Sequence, residues 1–203
     1  MLRVVSACLI ALAFLPAPAA AEWHFVPMIG VAFKGATNIN DTEIAADKAH
    51  MQLGGSISLL GDGIVGVEAF STWIPGFFEE GNQELVESSR AATLMGNLVL
   101  TTPKKWTEYG LRPYVSGGFG LVHATNTQFP RFGIEPLPPA RVNSGGYNLG
   151  VGAIGFFSER TGVRFDFRYH STLRRNFDGT AFKSDTAYLR YTTLSVGVVF
   201  RRR

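Results

Sequence analysis

The stretch TAYLRYTTLSVGVVF, from Thr186 to Phe200, decides the fold. Leu194, Val196, Val198 and Phe200 fall two apart, so an extended strand sets all four on one face. The other face receives Tyr191, Thr193, Ser195 and Gly197, which are polar or small. A soluble strand can show the same alternation with its apolar comb turned to a core. The closing aromatic, and the recurrence of the comb along the chain, argue instead for a barrel with apolar groups outward to lipid and polar groups inward.

The ends and the composition set the frame. Residues 1–21 read as a secretory signal: Arg3 supplies the positive charge, Val4 to Leu15 is apolar, and Ala19, Ala20 and Ala21 offer a small-residue cleavage site before Glu22. The apolar run is too short to span a bilayer as a helix. Cys8, the only cysteine, sits too near the start for a lipoprotein signal and is expected to leave with the leader. The mature chain, a single domain over 22–203, then has neither disulfide nor thiol nucleophile. A net charge of +3 over 203 residues gives no argument for nucleic acid as a partner. No later run is apolar for the length of a membrane helix, so a membrane crossing here has to use strands. Charged residues at 17% and 23 glycines suit a small barrel whose interior is crowded.

Period-two reading gives eight candidate strands, near 23–34, 48–60, 64–74, 91–101, 111–124, 143–157, 162–174 and 186–200. Their connections alternate between short and long. Gly61 to Gly63, Pro103 to Gly110 and Ser158 to Thr161 are compact, whereas Gly35 to Asp47, Ile74 to Arg90, Thr125 to Val142 and Arg175 to Asp185 are long. Outer-membrane barrels segregate periplasmic turns from extracellular loops in this way, and a soluble eight-stranded barrel has no reason to. The expected fold is an all-β, eight-stranded antiparallel up-and-down transmembrane barrel in the bacterial outer membrane.

Strand seven shows the two faces most clearly. Val163, Phe165, Phe167 and Tyr169 alternate with Arg164, Asp166, Arg168 and His170. Ionisable groups facing hydrocarbon carry a penalty of several kcal/mol, so the second set belongs inside. There it meets Glu68, whose neighbours Val65, Val67 and Ala69 take the outer face. Side chains fill most of an eight-stranded interior. Glu68, Arg164, Asp166 and Arg168 are therefore read as a buried ion-pair network that plugs the lumen and fixes register. The same alternation recurs in strands two, four, five and six, for example Leu94, Leu98 and Leu100 against Thr93 and Asn97. Trp23, Trp73, Trp106, Tyr109, Tyr188 and Phe200 fall near strand ends, where interfacial girdles place aromatics.

The string RPYVSGGFG, Arg112 to Gly120, resembles a strand of the OmpA/OmpX-like outer-membrane barrels. NLGVG at Asn148 to Gly152, with GVRFDFRY at Gly162 to Tyr169, resembles their next hairpin. The resemblance implies an eight-stranded barrel inserted by the outer-membrane assembly machinery, in contact with outer-membrane lipids and lipopolysaccharide. One departure is that Arg201, Arg202 and Arg203 follow Phe200, where such families usually end on the aromatic.

The enzyme candidate is His170 with Ser171, near Asn176 and Asp178, which resembles the His-x-Ser pair of outer-membrane lipid A deacylases. Here the two are adjacent, so a regular strand points them to opposite faces unless a bulge intervenes. Thr172 also replaces that family's asparagine. His24, His50, His123 and His170 show no paired ligand spacing, so no metal and no cofactor are expected. Arg141, Arg174 and Arg175 at the outer rim are candidates for lipopolysaccharide phosphates. The apolar, proline-rich run Phe129 to Ala140 and the acidic run Glu79 to Glu87 are candidate surface loops. The leading expectation is a monomeric, non-enzymatic barrel serving envelope integrity or surface interaction. The alternatives are a narrow porin-like channel for small solutes and a lipid A deacylase-like hydrolase.

Overall fold

A computed structural model describes residues 21–37, 49–76, 86–107, 110–128, 140–173 and 189–202. Alternating sequence becomes strand throughout: β1 Glu22–Thr37, β2 His50–Leu60, β3 Val65–Pro75, β4 Val86–Thr101, β5 Leu111–Gln128, β6 Ala140–Phe156, β7 Thr161–Thr172 and β8 Leu189–Arg202. Each strand pairs antiparallel with the next, and β8 returns to β1, so the sheet closes into an eight-stranded barrel. Closure leaves no unpaired strand edge, as a backbone inside hydrocarbon requires. Short connections, including a single helical turn at Lys104–Trp106, gather at the end that carries Glu22 and Arg202. The long connections leave from the opposite end, which orients the barrel with its termini in the periplasm.

The comb of β8 faces outward: Leu194, Val196, Val198 and Phe200 are 40–50% exposed. Tyr191, Thr193 and Ser195 face inward and are buried. Exposed apolar residues on the other strands, among them Ile29, Ile57, Val67, Leu98, Val115, Leu149 and Phe167, continue this surface into a belt. A patch of that extent is stable only against lipid or a partner. Trp23, Trp73 and Trp106 are exposed at strand ends or beside them. Tyr109 and Tyr188 lie outside the described residues.

Two departures from the sequence reading have a physical cause. β2 and β3 have 11 residues each, about what a tilted strand needs to cross hydrocarbon, but β4, β5 and β6 have 16, 18 and 17. β3 ends at Pro75 opposite Arg90, while β4 continues to Val86 alongside β5 and β6. Val86 to Arg90 therefore belong to a strand rather than a loop, because beyond the bilayer a strand need not show an apolar comb. β8 likewise runs past Phe200, with Arg201 paired to His24 and Arg202 to Trp23. Strand pairing, rather than the aromatic, ends the barrel there.

Candidate functional site: the lumen plug and its periplasmic lid

Period-two placement brings Arg164, Asp166 and Arg168 of β7 to the interior, and register sets Glu68 of β3 across the lumen from them. All four are at most 3% exposed. They form a ring of alternating charge. Glu68 pairs with Arg164, and with Arg168 at 3.0 Å. Asp166 pairs with Arg164 at 2.8 Å and with Arg168 at 2.9 Å. Two carboxylates against two guanidiniums leave no net charge, the arrangement that low-dielectric burial demands.

Neighbouring strands satisfy the remaining polar atoms. Tyr114 of β5 donates its hydroxyl to Asp166 and accepts from Arg164 Nε at 2.7 Å. Asn97 of β4 donates to Glu68 at 2.9 Å, and Asn148 of β6 donates to Asn97 at 2.7 Å. Asn148 in turn accepts from Arg168 at 3.1 Å, and Ser56 of β2 accepts from Arg164 at 3.0 Å. The Arg168 guanidinium lies 3.8 Å over the Phe70 ring, a cation–π contact in a desolvated setting. Side chains from six strands thus converge on one cross-section of the barrel.

Two inward glycines make room for them. A Cβ on Gly152 would stand 2.4 Å from the Tyr114 hydroxyl, and one on Gly150 would stand 3.0 Å from Arg168 Nε. Both positions lie directly opposite the network in the ladder, Gly152 facing Asp166 and Gly150 facing Arg168.

The extracellular half of the lumen holds no buried ion pair among the described residues; neutral polar side chains such as Gln52, Thr72, Thr93 and Thr193 share it with apolar ones, contrary to the simple inside-out expectation. Ala32, Phe70, Ile74, Ala91, Met95, Val122, Ala124 and Leu189 are all buried there. His170 is enclosed in this half, stacked between Phe70 at 6.0 Å and Tyr191 at 4.7 Å. Among the described residues its ring nitrogens have no hydrogen-bond partner. Ser171 faces the other way, with its hydroxyl donating to the Thr172 carbonyl at 3.4 Å. The β6–β7 register runs unbroken through both residues, so no bulge brings them together. Asn176, Asp178, Arg174 and Arg175 lie outside the described residues, as do 129–139 and 77–85. The backbone of Arg141 lies in β6, opposite Thr125. His24, His50, His123 and His170 sit on β1, β2, β5 and β7, and among the described residues no cluster of three metal-ligating side chains occurs.

A second polar layer at the periplasmic mouth was not legible as a site. Glu22 is buried and accepts from Lys104 at 3.0 Å and from Arg201 at 3.4 Å. Lys104 also reaches Asp62 at 3.4 Å. Arg112 donates to the Gly61 and Thr102 carbonyls at 3.1 and 3.2 Å, tying two periplasmic turns together. Arg201 lies 4.4 Å over the Phe156 ring and donates to the Glu159 carbonyl at 2.6 Å, which adds the third turn. Arg112 opens the motif that carries the family resemblance and Arg201 belongs to the arginine run after Phe200, the two sequence signals that touched this layer.

A family model, the outer membrane protein beta-barrel domain, matches residues 6–201. The chain belongs to this family. It is a bacterial outer-membrane barrel. Among solved structures it is similar to the Neisserial surface protein A at 12% identity, covering 89% of this chain and 98% of that one with a TM-score of 0.57. The outer membrane protein OprG of Pseudomonas aeruginosa aligns at 13% identity over 92% and 97% of the two chains, TM-score 0.55. The attachment invasion locus protein Ail of Yersinia pestis, solved with the heparin analogue sucrose octasulfate, aligns at 12% identity over 89% and 98%, TM-score 0.51. At these identities the likeness is one of fold. No curated protein matches the sequence.

Proposed function

We propose that this protein is a non-enzymatic barrel with a closed lumen, serving envelope integrity or surface interaction through the connections at its extracellular end. The observation that carries the reading is the neutral ring of Glu68, Arg164, Asp166 and Arg168, held by side chains from six strands across the lumen. A ring with this many mutual contacts resists displacement by water or solute. The packed, uncharged layer of described residues above it and the Glu22–Lys104–Arg201 lid below it thicken the barrier. The partners are outer-membrane lipids and lipopolysaccharide around the belt, and the assembly machinery that inserts the barrel as a monomer. Exposed Lys34 and Arg90 at the extracellular rim suit lipopolysaccharide phosphates.

Planar-bilayer recording of the purified protein tests the closed lumen: the expected trace shows no stable single-channel steps, and a steady conductance overturns the proposal in favour of the narrow channel. The hydrolase reading is tested separately, by mass spectrometry of lipid A from cells with the native protein and with Ser171→Ala. Identical lipid A in both is expected, since the His170 ring and the Ser171 hydroxyl do not meet.

A further inference from the structure

The two described arginines after Phe200 face opposite sides of the wall. Arg201 turns inward and is committed to Glu22, the Phe156 ring and the Glu159 carbonyl. Arg202 continues the outward row of Leu194, Val196, Val198 and Phe200 by one step and is exposed. Its ladder partner is Trp23, whose exposed ring stacks on Phe25. Arg202 therefore stands just beyond an aromatic edge of the lipid-facing belt, on the periplasmic side.

The turn before β7 brings a second cation to the same edge. The Arg160 carbonyl accepts from Arg201 N at 2.8 Å, which holds that turn against the end of β8. Glu159, Arg160, Arg201 and Arg202 together line a cleft of about 600 Å³. Among the described residues, neither the Arg160 nor the Arg202 guanidinium has a side-chain partner. Among the described residues the cleft thus offers two uncommitted guanidiniums against one carboxylate, that of Glu159. An arginine stem can lie along apolar surface while its head reaches the headgroup layer, and guanidinium binds phosphate through paired hydrogen bonds.

We infer that this cleft holds the phosphate of an anionic phospholipid from the periplasmic leaflet, clamped by Arg160 and Arg202 while its acyl chains run along the belt beside Phe200 and Trp23. The position selects the source: the aromatic edge fixes the depth, and the short turns fix the leaflet. The surplus of cation selects the charge, because a zwitterionic headgroup brings an ammonium of its own.

Native mass spectrometry of the detergent-purified barrel, incubated with phosphatidylglycerol or with phosphatidylcholine of the same chains, tests this. The native protein is expected to retain phosphatidylglycerol in preference, and equal retention of the two overturns the inference without any variant. The Arg160→Gln, Arg202→Gln double variant is expected to lose that retention roughly tenfold, the scale of one charge-assisted contact. Arg190→Gln, at the extracellular end of β8, should leave it unchanged, and an equal fall there would reduce the effect to non-specific charge. Inorganic phosphate in excess should not displace the lipid, and full displacement would make the cleft a free-anion site. Preferential retention of lipopolysaccharide through the same two arginines would overturn the leaflet assignment.

Discussion

The lumen has two halves built on different physics. The periplasmic half carries the ion pairs, with Glu68, Arg164, Asp166 and Arg168 in a closed ring and Glu22, Lys104 and Arg201 beneath it, alongside buried Leu60, Val99, Ile154 and Val199. The extracellular half is uncharged among the described residues, with Phe70, Ile74, Met95, Val122 and Leu189 packed around the His170–Tyr191 stack beside the hydrogen-bonded Thr72 and Thr93. Apolar packing tolerates small changes in shape, because many weak contacts share the load. An ionic ring does not, since removing one member strands a buried charge. The two halves should therefore fail differently: the ring abruptly, the packed half in proportion to the volume removed.

Urea titration of the barrel in vesicles, followed by heat-modifiable gel migration, ranks the failures. Glu68→Ala leaves two guanidiniums facing one carboxylate and should lower stability most, by about 3–5 kcal/mol. Met95→Ala empties part of the uncharged half and should lower it by roughly 2–3 kcal/mol. If the order of these two reversed, the contrast between the halves would fail. Gly152→Ala thrusts a methyl against the Phe165 carbonyl and the Tyr114 hydroxyl and should reduce the urea midpoint by an amount equivalent to about 1–3 kcal/mol. Arg201→Gln loosens only the lid and is expected to lose ~1 kcal/mol, seen most sharply as faster hydrogen exchange in the three periplasmic turns. Replacing Glu68 and Asp166 with Leu, and Arg164 and Arg168 with Met, should change stability least, by about 1 kcal/mol or less in either direction. That variant should instead migrate as several folded species, and a single sharp band would remove the claim that the ring specifies the structure.

The belt and the ring's membership were legible because a strand's period of two is a local property. Arg164, Asp166 and Arg168 interrupt an apolar comb, and Glu68 interrupts another. The pairing within the ring was not legible, since it depends on contacts across the lumen that adjacent-strand alternation does not encode. Asn97, Asn148 and Tyr114 could be assigned to the inner face but not to Glu68 or Asp166. The packing of the uncharged half was missed for a related reason. Phe70 and Met95 occupy inward positions, and a rule equating inward with polar misreads them. The lid was missed because alternation turns Arg201 inward only if the strand continues past Phe200, and that continuation comes from the pairing of β8 with the first residues of β1. The extra length of β4, β5 and β6 leaves no hydrophobic trace, because water rather than lipid surrounds those ends.

One consequence of the inward glycines concerns error rather than strength. An alternating sequence is blind to any slip of two residues, since the greasy and wet faces stay in place. Such a slip of β7 against β6 would move Arg168 from Gly150 to Gly152, set His170 across from Gly150 and push Asp166 against Ile154. The Tyr114–Asp166 bond would be broken, and a guanidinium would be driven into the space that Gly152 keeps open for the phenol. Gly150, Gly152 and the ring thus act as a parity check on assembly, accepting one frame among several that the lipid cannot tell apart.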